Sequence, residues 1–214
     1  MRKLPTPSRI IRRLRSEVGR RIVIDVIADV RRTVLLAGTR RSGTTWVSDI
    51  INHRNTYRDV FEPFHRVEVP LCKEFEWRQY LRPGVAREPF LSAAGAILAG
   101  RVNNRWVNLN NRRVFPRRRL VKDIRANLFL GWLQGFFPEV PIVLLLRHPC
   151  AVASSCVALG WEADMEMLLS QRDLVEDFLA PYAGFMRDAR DEFERSIILW
   201  CIETMVPLRP LPPD

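Results

Sequence analysis

The run Thr33–Ala37 (TVLLA) leads directly into Gly38-Thr39-Arg40-Arg41-Ser42-Gly43-Thr44-Thr45. Few other arrangements restrict a chain so strongly. A short apolar, β-branched run closed by glycine reads as a buried parallel strand entering a tight turn. The residues after the second glycine, Thr44–Asn52, read as a helix. The two glycines stand in G-x4-G spacing, which lets backbone N–H groups approach an anion while the helix N-terminus adds favourable dipole.

The rest of the pattern agrees with that unit. Residues 56–61 (TYRDVF) read as a second strand ending at Glu62-Pro63, and residues 89–99 as a helix. Residues 101–119 form an Arg/Asn-rich connection. Leu120–Asp123 reads as a third strand, followed by a helix at about 126–137. Pro141–Leu146 (PIVLLL) reads as the clearest buried strand in the chain, with Pro149 suited to the first turn of the next helix. From there to about 206 the chain reads as mostly helical. Strands alternating with helices predict an α/β domain, a P-loop-like parallel β-sheet flanked by helices.

Two segments carry anion-binding chemistry. In the first, Thr44 stands where a nucleoside triphosphatase has its lysine, which argues against ATP or GTP hydrolysis or a kinase. Arg41 offers a cation inside the loop instead. The second follows the PIVLLL strand: Arg147-His148-Pro149, with Ser155 eight residues after Arg147. A guanidinium fork at a strand end and a hydroxyl two helical turns on can converge on one phosphate. Ligands of such sheets bind at the carboxyl ends of strands, where both segments fall.

G-T-R-R-S-G-T-T-W over residues 38–46 resembles the 5′-phosphosulfate loop of the sulfotransferases, and Arg147, Pro149, Val152 and Ser155 match that family's 3′-phosphate element. The resemblance covers roughly residues 32–206. It implies transfer of a sulfuryl group from 3′-phosphoadenosine 5′-phosphosulfate (PAPS) to a hydroxyl or amine, without a metal. Arg41 then falls where the family places a catalytic cation. Ser42, Gly43, Thr44 and Thr45 fall on 5′-phosphate donors, and Arg147 and Ser155 on the 3′-phosphate. Trp46 is a candidate to pack near the adenine, the alternative being a core aromatic.

The family's cytosolic members place a histidine shortly after a strand-end lysine; Val121-Lys122-Asp123-Ile124 keeps the lysine and has Ile instead. Phe61-Glu62-Pro63-Phe64-His65 resembles the E-P-x-x-H segment of carbohydrate-type and bacterial members. That resemblance implies Glu62 as general base, with His65 as orienting partner or substitute. Lys122 is a further catalytic candidate that would help hold the sulfuryl group, the alternative being an ion pair with a neighbouring acid. A carbohydrate or glycolipid acceptor is favoured on the same ground. Arg117-Arg118-Arg119 reads as an exposed basic loop.

The net charge of +10 favours polyanionic partners, and it is unevenly placed. Residues 1–32 carry ten basic side chains against three acids, and apolar residues at helical spacing over 8–31 predict a basic amphipathic helix. Packing on the core is its expected role, and peripheral contact with an acidic membrane a second. No continuous apolar run suggests a signal or a span, and the four cysteines lack metal-type or disulfide-framework spacing, so a cytoplasmic protein is expected. No nucleic-acid module accompanies the charge; the nucleotide donor and a small-molecule or glycan acceptor are the expected partners. One domain over 33–206 is expected, then a proline-rich tail, 207–214, unsuited to helix or interior strand. Family members usually continue into a further strand and a lid, so an impaired, truncated PAPS-binding relative is the alternative expectation.

Overall fold

The structure, a computed structural model, describes residues 22–209. Its centre is a parallel sheet of β1 (Thr33–Gly38), β2 (Tyr57–Phe61), β3 (Arg118–Asp123) and β4 (Ile142–Leu145), in the order β2-β3-β1-β4. The main helices are α1 (Thr44–Ile51), α2 (Phe90–Leu98), α3 (Leu130–Phe136), α4 (Pro149–Val157) and α5 (Glu192–Leu208), with short helical turns between 165 and 187. The expected α/β class and flanked parallel sheet are therefore present. The strand order reverses direction beside β1, opening a crevice at the carboxyl ends of β1 and β4.

Both faces of the sheet are covered, which is why β1 reads as an unbroken apolar run. Leu35, Leu36, Ala37, Leu120 and Val121 are fully buried. One core joins Leu35, Val60 and Val121 to Ile97 and Leu98 of α2 and to Trp132 and Leu133 of α3. A second gathers Leu168, Leu174 and Phe178 against Leu199 and Ile202 of α5. Each such side chain contributes roughly 1.5–3 kcal/mol on burial.

The two sheet edges differ. The 101–117 connection covers β2: Phe61 N–H donates to the Val107 carbonyl at 2.8 Å and Asp59 N–H to Asn111 Oδ1 at 3.3 Å. β4, expected to be a buried strand, is instead an edge. Val143 is 42% exposed, and Ile142, Leu144 and Leu145 are half-buried. Composition marks a strand as fit for burial, but only a second neighbour buries it; among the described residues β4 pairs with β1 alone.

Two more expectations need correction. Of the amphipathic helix expected over 8–31, residues 8–21 lie outside the described residues. Residues 22–29 are irregular, and Val30–Arg32 is a single 3-10 turn. The segment is fixed by charge. Asp25 lies between Arg119 (2.6 and 2.8 Å) and Arg58 (3.3 Å), and Arg119 also donates to the carbonyls of Ile27 and Asp29. Arg119 is thus buried rather than part of an exposed loop. Of the three arginines only Arg117 and Arg118, at the entrance to β3, are exposed.

The tail expected to break helix at 207 does so two residues later. Pro207 cannot donate to the carbonyl of Glu203, which instead accepts from Asn127 Nδ2 at 3.2 Å, so α5 runs on to Leu208. Among the described residues no helix is long and apolar enough to cross a membrane.

Candidate active site

The G-x4-G loop joins β1 to α1. A Cβ on Gly38 would meet the Leu145 carbonyl, Ser42 Oγ and Thr44 Cγ2, each at 2.9 Å, so glycine lets β4 and the loop close up. Ser42 Oγ donates to the Thr39 carbonyl at 2.6 Å and tightens the turn. Gly43, at φ 97°, caps α1 without a side-chain bond, leaving the first-turn N–H groups of Thr44, Thr45 and Trp46 uncapped by any side chain. Trp46 is 70% exposed, which rules out the core-aromatic alternative.

Pro149 opens α4 as expected, and α4 carries Ser155. The two anion elements then touch. Arg147 Nη1 donates to the Arg41 carbonyl at 2.8 Å, and Arg41 Nε donates to Ser155 Oγ at 2.9 Å. Arg41 has φ 63°, a left-handed conformation costing a non-glycine residue about 1–2 kcal/mol. Arg41 and Arg147 are both exposed at the mouth of the crevice.

Beyond the end of β2 lies a carboxylate between two cations. Glu62 Oε1 accepts from Lys122 Nζ at 2.6 Å, and Oε2 from Arg125 Nη1 at 2.5 Å. Its backbone N–H donates to the Lys122 carbonyl at 2.7 Å, and its carbonyl accepts from Trp106 Nε1 at 3.0 Å. Those bonds hold Glu62 at φ 41°, a second left-handed non-glycine residue at a candidate catalytic position. Burial raises the pKa of Glu62, but Lys122 and Arg125 together outweigh it and keep the carboxyl below its ordinary value. Lys122 is itself buried, with its ammonium 4.2 Å from the Phe61 ring centroid.

His65 lies beside this cluster without bonding the carboxylate. Its Nδ1 accepts from the N–H groups of Val67 and Glu68, both at 3.3 Å, and its ring meets Trp77 and Trp106 edge-on at 5.1 and 4.8 Å. Accepting at Nδ1 leaves the neutral ring's proton on Nε2. Burial, then the charge of Arg125, lowers its pKa and keeps it neutral. The groups that orient Glu62 are therefore Lys122 and Arg125.

A family model of the sulfotransferase family matches residues 33–199, a span that includes both anion elements, Glu62 and Lys122. The chain belongs to the sulfotransferase family. No curated protein and no solved structure matches it. Among the described residues of this sulfotransferase, no group of three or more His, Cys, Asp or Glu is placed to hold a metal ion. Sequence reasoning passed over Arg125, whose only signal was a second basic residue three positions after Lys122. It also passed over Trp161, whose ring is reached only through the fold.

Asp59 was not singled out either. It is buried, and among the described residues its Oδ1 has no hydrogen-bond partner and Oδ2 accepts from Ser48 Oγ alone, at 3.4 Å. Burial, with Asp49 nearby, pushes the carboxyl up to about 6 against the pull of Lys122. The folded chain then binds the proton more tightly than the unfolded chain, whose aspartate titrates near its ordinary value. Stability falls as pH rises from about 4 to about 6, by about 3 kcal/mol in all, and stays lower above that. Asp59→Asn is expected to flatten urea-denaturation midpoints across this window and raise them above pH 6. A variant whose midpoints follow the wild-type profile would contradict this.

Proposed function

We propose that this sulfotransferase moves a sulfuryl group from PAPS to a hydroxyl or amine of a carbohydrate or glycolipid acceptor. The observation carrying the reading is the contact of Arg41 with Arg147 and Ser155, which brings two anion-binding elements 106 residues apart in sequence to one crevice. The uncapped N–H groups of α1 suit the donor's 5′-phosphosulfate end, and Arg147 with Ser155 its 3′-phosphate. Trp46, exposed on the first turn of α1, is the candidate to pack on the adenine.

The donor supplies an activated sulfuryl group and leaves as adenosine 3′,5′-bisphosphate. Glu62 takes the acceptor proton as the new S–O bond (S–N for an amine) forms, and Arg41 stabilises charge gathering on the bridging oxygen as the donor's S–O bond breaks. Lys122 serves both sides. While it pairs with Glu62 it keeps that carboxyl ionised; when its ammonium turns to the sulfuryl oxygens, Glu62 loses a strong electrostatic partner and becomes more basic. Trp77, 37% exposed beside His65 and the guanidinium of Arg125, offers the acceptor an aromatic wall.

Calorimetry with adenosine 3′,5′-bisphosphate and with ATP tests the reading. Arg41→Ala and Arg147→Ala are each expected to weaken the bisphosphate by about tenfold to a hundredfold, the worth of a charged hydrogen bond. Arg147→Ala should leave ATP, which lacks a 3′-phosphate, much less affected. Unchanged bisphosphate affinity in both variants would remove the basis for this assignment. Bisphosphate binding with no turnover of PAPS in any acceptor mixture would instead favour a binding protein.

A further inference from the structure

Helix α4 ends in a closure that sends one aromatic ring back over the G-x4-G loop. Trp161 N–H donates to the Cys156 carbonyl at 3.0 Å, and Gly160 N–H to the Val157 carbonyl at 2.9 Å, with Gly160 at φ 64°. That is the paired bonding of a Schellman motif, which fixes the residue after the glycine in space. The ring so placed lies 5.8 Å from the guanidinium carbon of Arg40 and 6.0 Å from that of Arg41. Arg40 is tied down a second time, donating from Nη2 to the Glu162 carbonyl at 2.9 Å. One short turn, 160–162, thus holds both arginines of the loop.

We infer that Trp161 is a positioning residue for transfer: its ring is a cation–π shelf that fixes the Arg41 guanidinium in the crevice before the donor arrives. The catalytic part of the inference rests on the reading of Arg41 as the cation at the transferring group; the shelf itself does not. A free arginine at an exposed loop tip samples many rotamers, and fixing one costs entropy at the moment of reaction. Here Ser155 Oγ holds Nε at one edge of the guanidinium and Trp161 limits its excursions from the side. Because Trp161 meets the arginines and not the backbone cradle, its removal affects the rate more than donor affinity. Trp161 is 40% exposed, so shortening it empties little of the core.

Two measurements on the full chain test this. The first needs no donor: phenylglyoxal labels accessible guanidiniums, and peptide mass spectrometry reads Arg41 separately from the other arginines. Trp161→Leu is expected to speed labelling of Arg41 by about threefold to tenfold, the population change matching loss of one cation–π contact. Trp161→Phe, which keeps a ring, should stay close to the wild-type rate. Equal labelling in Trp161→Leu and wild type would overturn the shelf, whatever the protein binds.

The second follows release of adenosine 3′,5′-bisphosphate from PAPS with water as acceptor, so no acceptor need be known. Trp161→Leu should lower kcat by about fivefold to tenfold and weaken the bisphosphate by less than Arg41→Ala does, and Trp161→Phe should restore most of the rate. A rate equally low in Trp161→Phe and Trp161→Leu would overturn the positioning role. If labelling behaves as expected while wild type binds no bisphosphate, the shelf stands and the proposed donor falls.

Discussion

Glu62→Gln is expected to lower sulfuryl transfer by about a hundredfold or more, the usual worth of a positioned general base, while affinity for adenosine 3′,5′-bisphosphate changes little. Glutamine keeps the shape of the side chain but cannot take the acceptor's proton. It also turns an amide donor toward Lys122 or Arg125, each of which needs an acceptor. Some loss of stability will accompany the change, because Lys122 is buried and loses its counter-charge. Thermal midpoint and bisphosphate Kd, measured on the same preparation, separate that loss from the chemical one. Near-normal turnover in a folded, bisphosphate-binding variant would exclude Glu62 as the base. The lowered pKa of Glu62 carries a pH consequence of matching sign. In the free protein the carboxyl titrates below its ordinary value, so the acidic limb of kcat/KM should lie lower than for an unpaired glutamate.

The largest expected effect on folding lies at the opposite end of the sheet. Asp25→Ala leaves Arg58 and Arg119, each 1% exposed, without a carboxylate. Removing one partner of a buried ionic group costs about 3–5 kcal/mol, because the remaining charge stays desolvated. For a chain of this size that corresponds to a fall of about 6–20 °C in the thermal midpoint. The carbonyls of Gly100, Val102, Ile27 and Asp29 still accept from the two arginines, but none neutralises them. A midpoint within a degree or two of wild type would mean that water reaches the guanidiniums and the network is not a closed one.

These two clusters differ in how far the sequence revealed them. Glu62 and Lys122 were both legible because each stands at a strand end inside a short motif, and strand ends on one side of a parallel sheet meet in space. Asp25 and Arg119 were not. They are 94 positions apart, and each sits in a charge block that reads as solvated surface. Arg119 is buried because Asp25 and the carbonyls of Ile27 and Asp29 close over it, whereas Arg118, at the start of β3, is exposed. Periodicity likewise suggested a helix through residues 22–31, although the Asp25 pairing and the Ile24–Val114 backbone bond hold residues 22–29 on an irregular path. Tertiary partners outweighed a local preference worth only tenths of a kcal/mol per residue.

The chain's own order of residues determined the strand–loop–helix units, the α/β class and the two candidate anion elements, since these depend on local spacing: glycines where a turn must close, apolar runs where two faces are covered, an arginine and a serine two helical turns apart. Tertiary structure alone decided that β4 is an edge, that Arg125 joins Lys122 on Glu62, that His65 stands aside, and that Trp161 lies against Arg40 and Arg41. The reason is physical. A local pattern sets which conformation a segment favours, whereas burial and ion pairing depend on which distant segments the fold brings within a few ångströms of it.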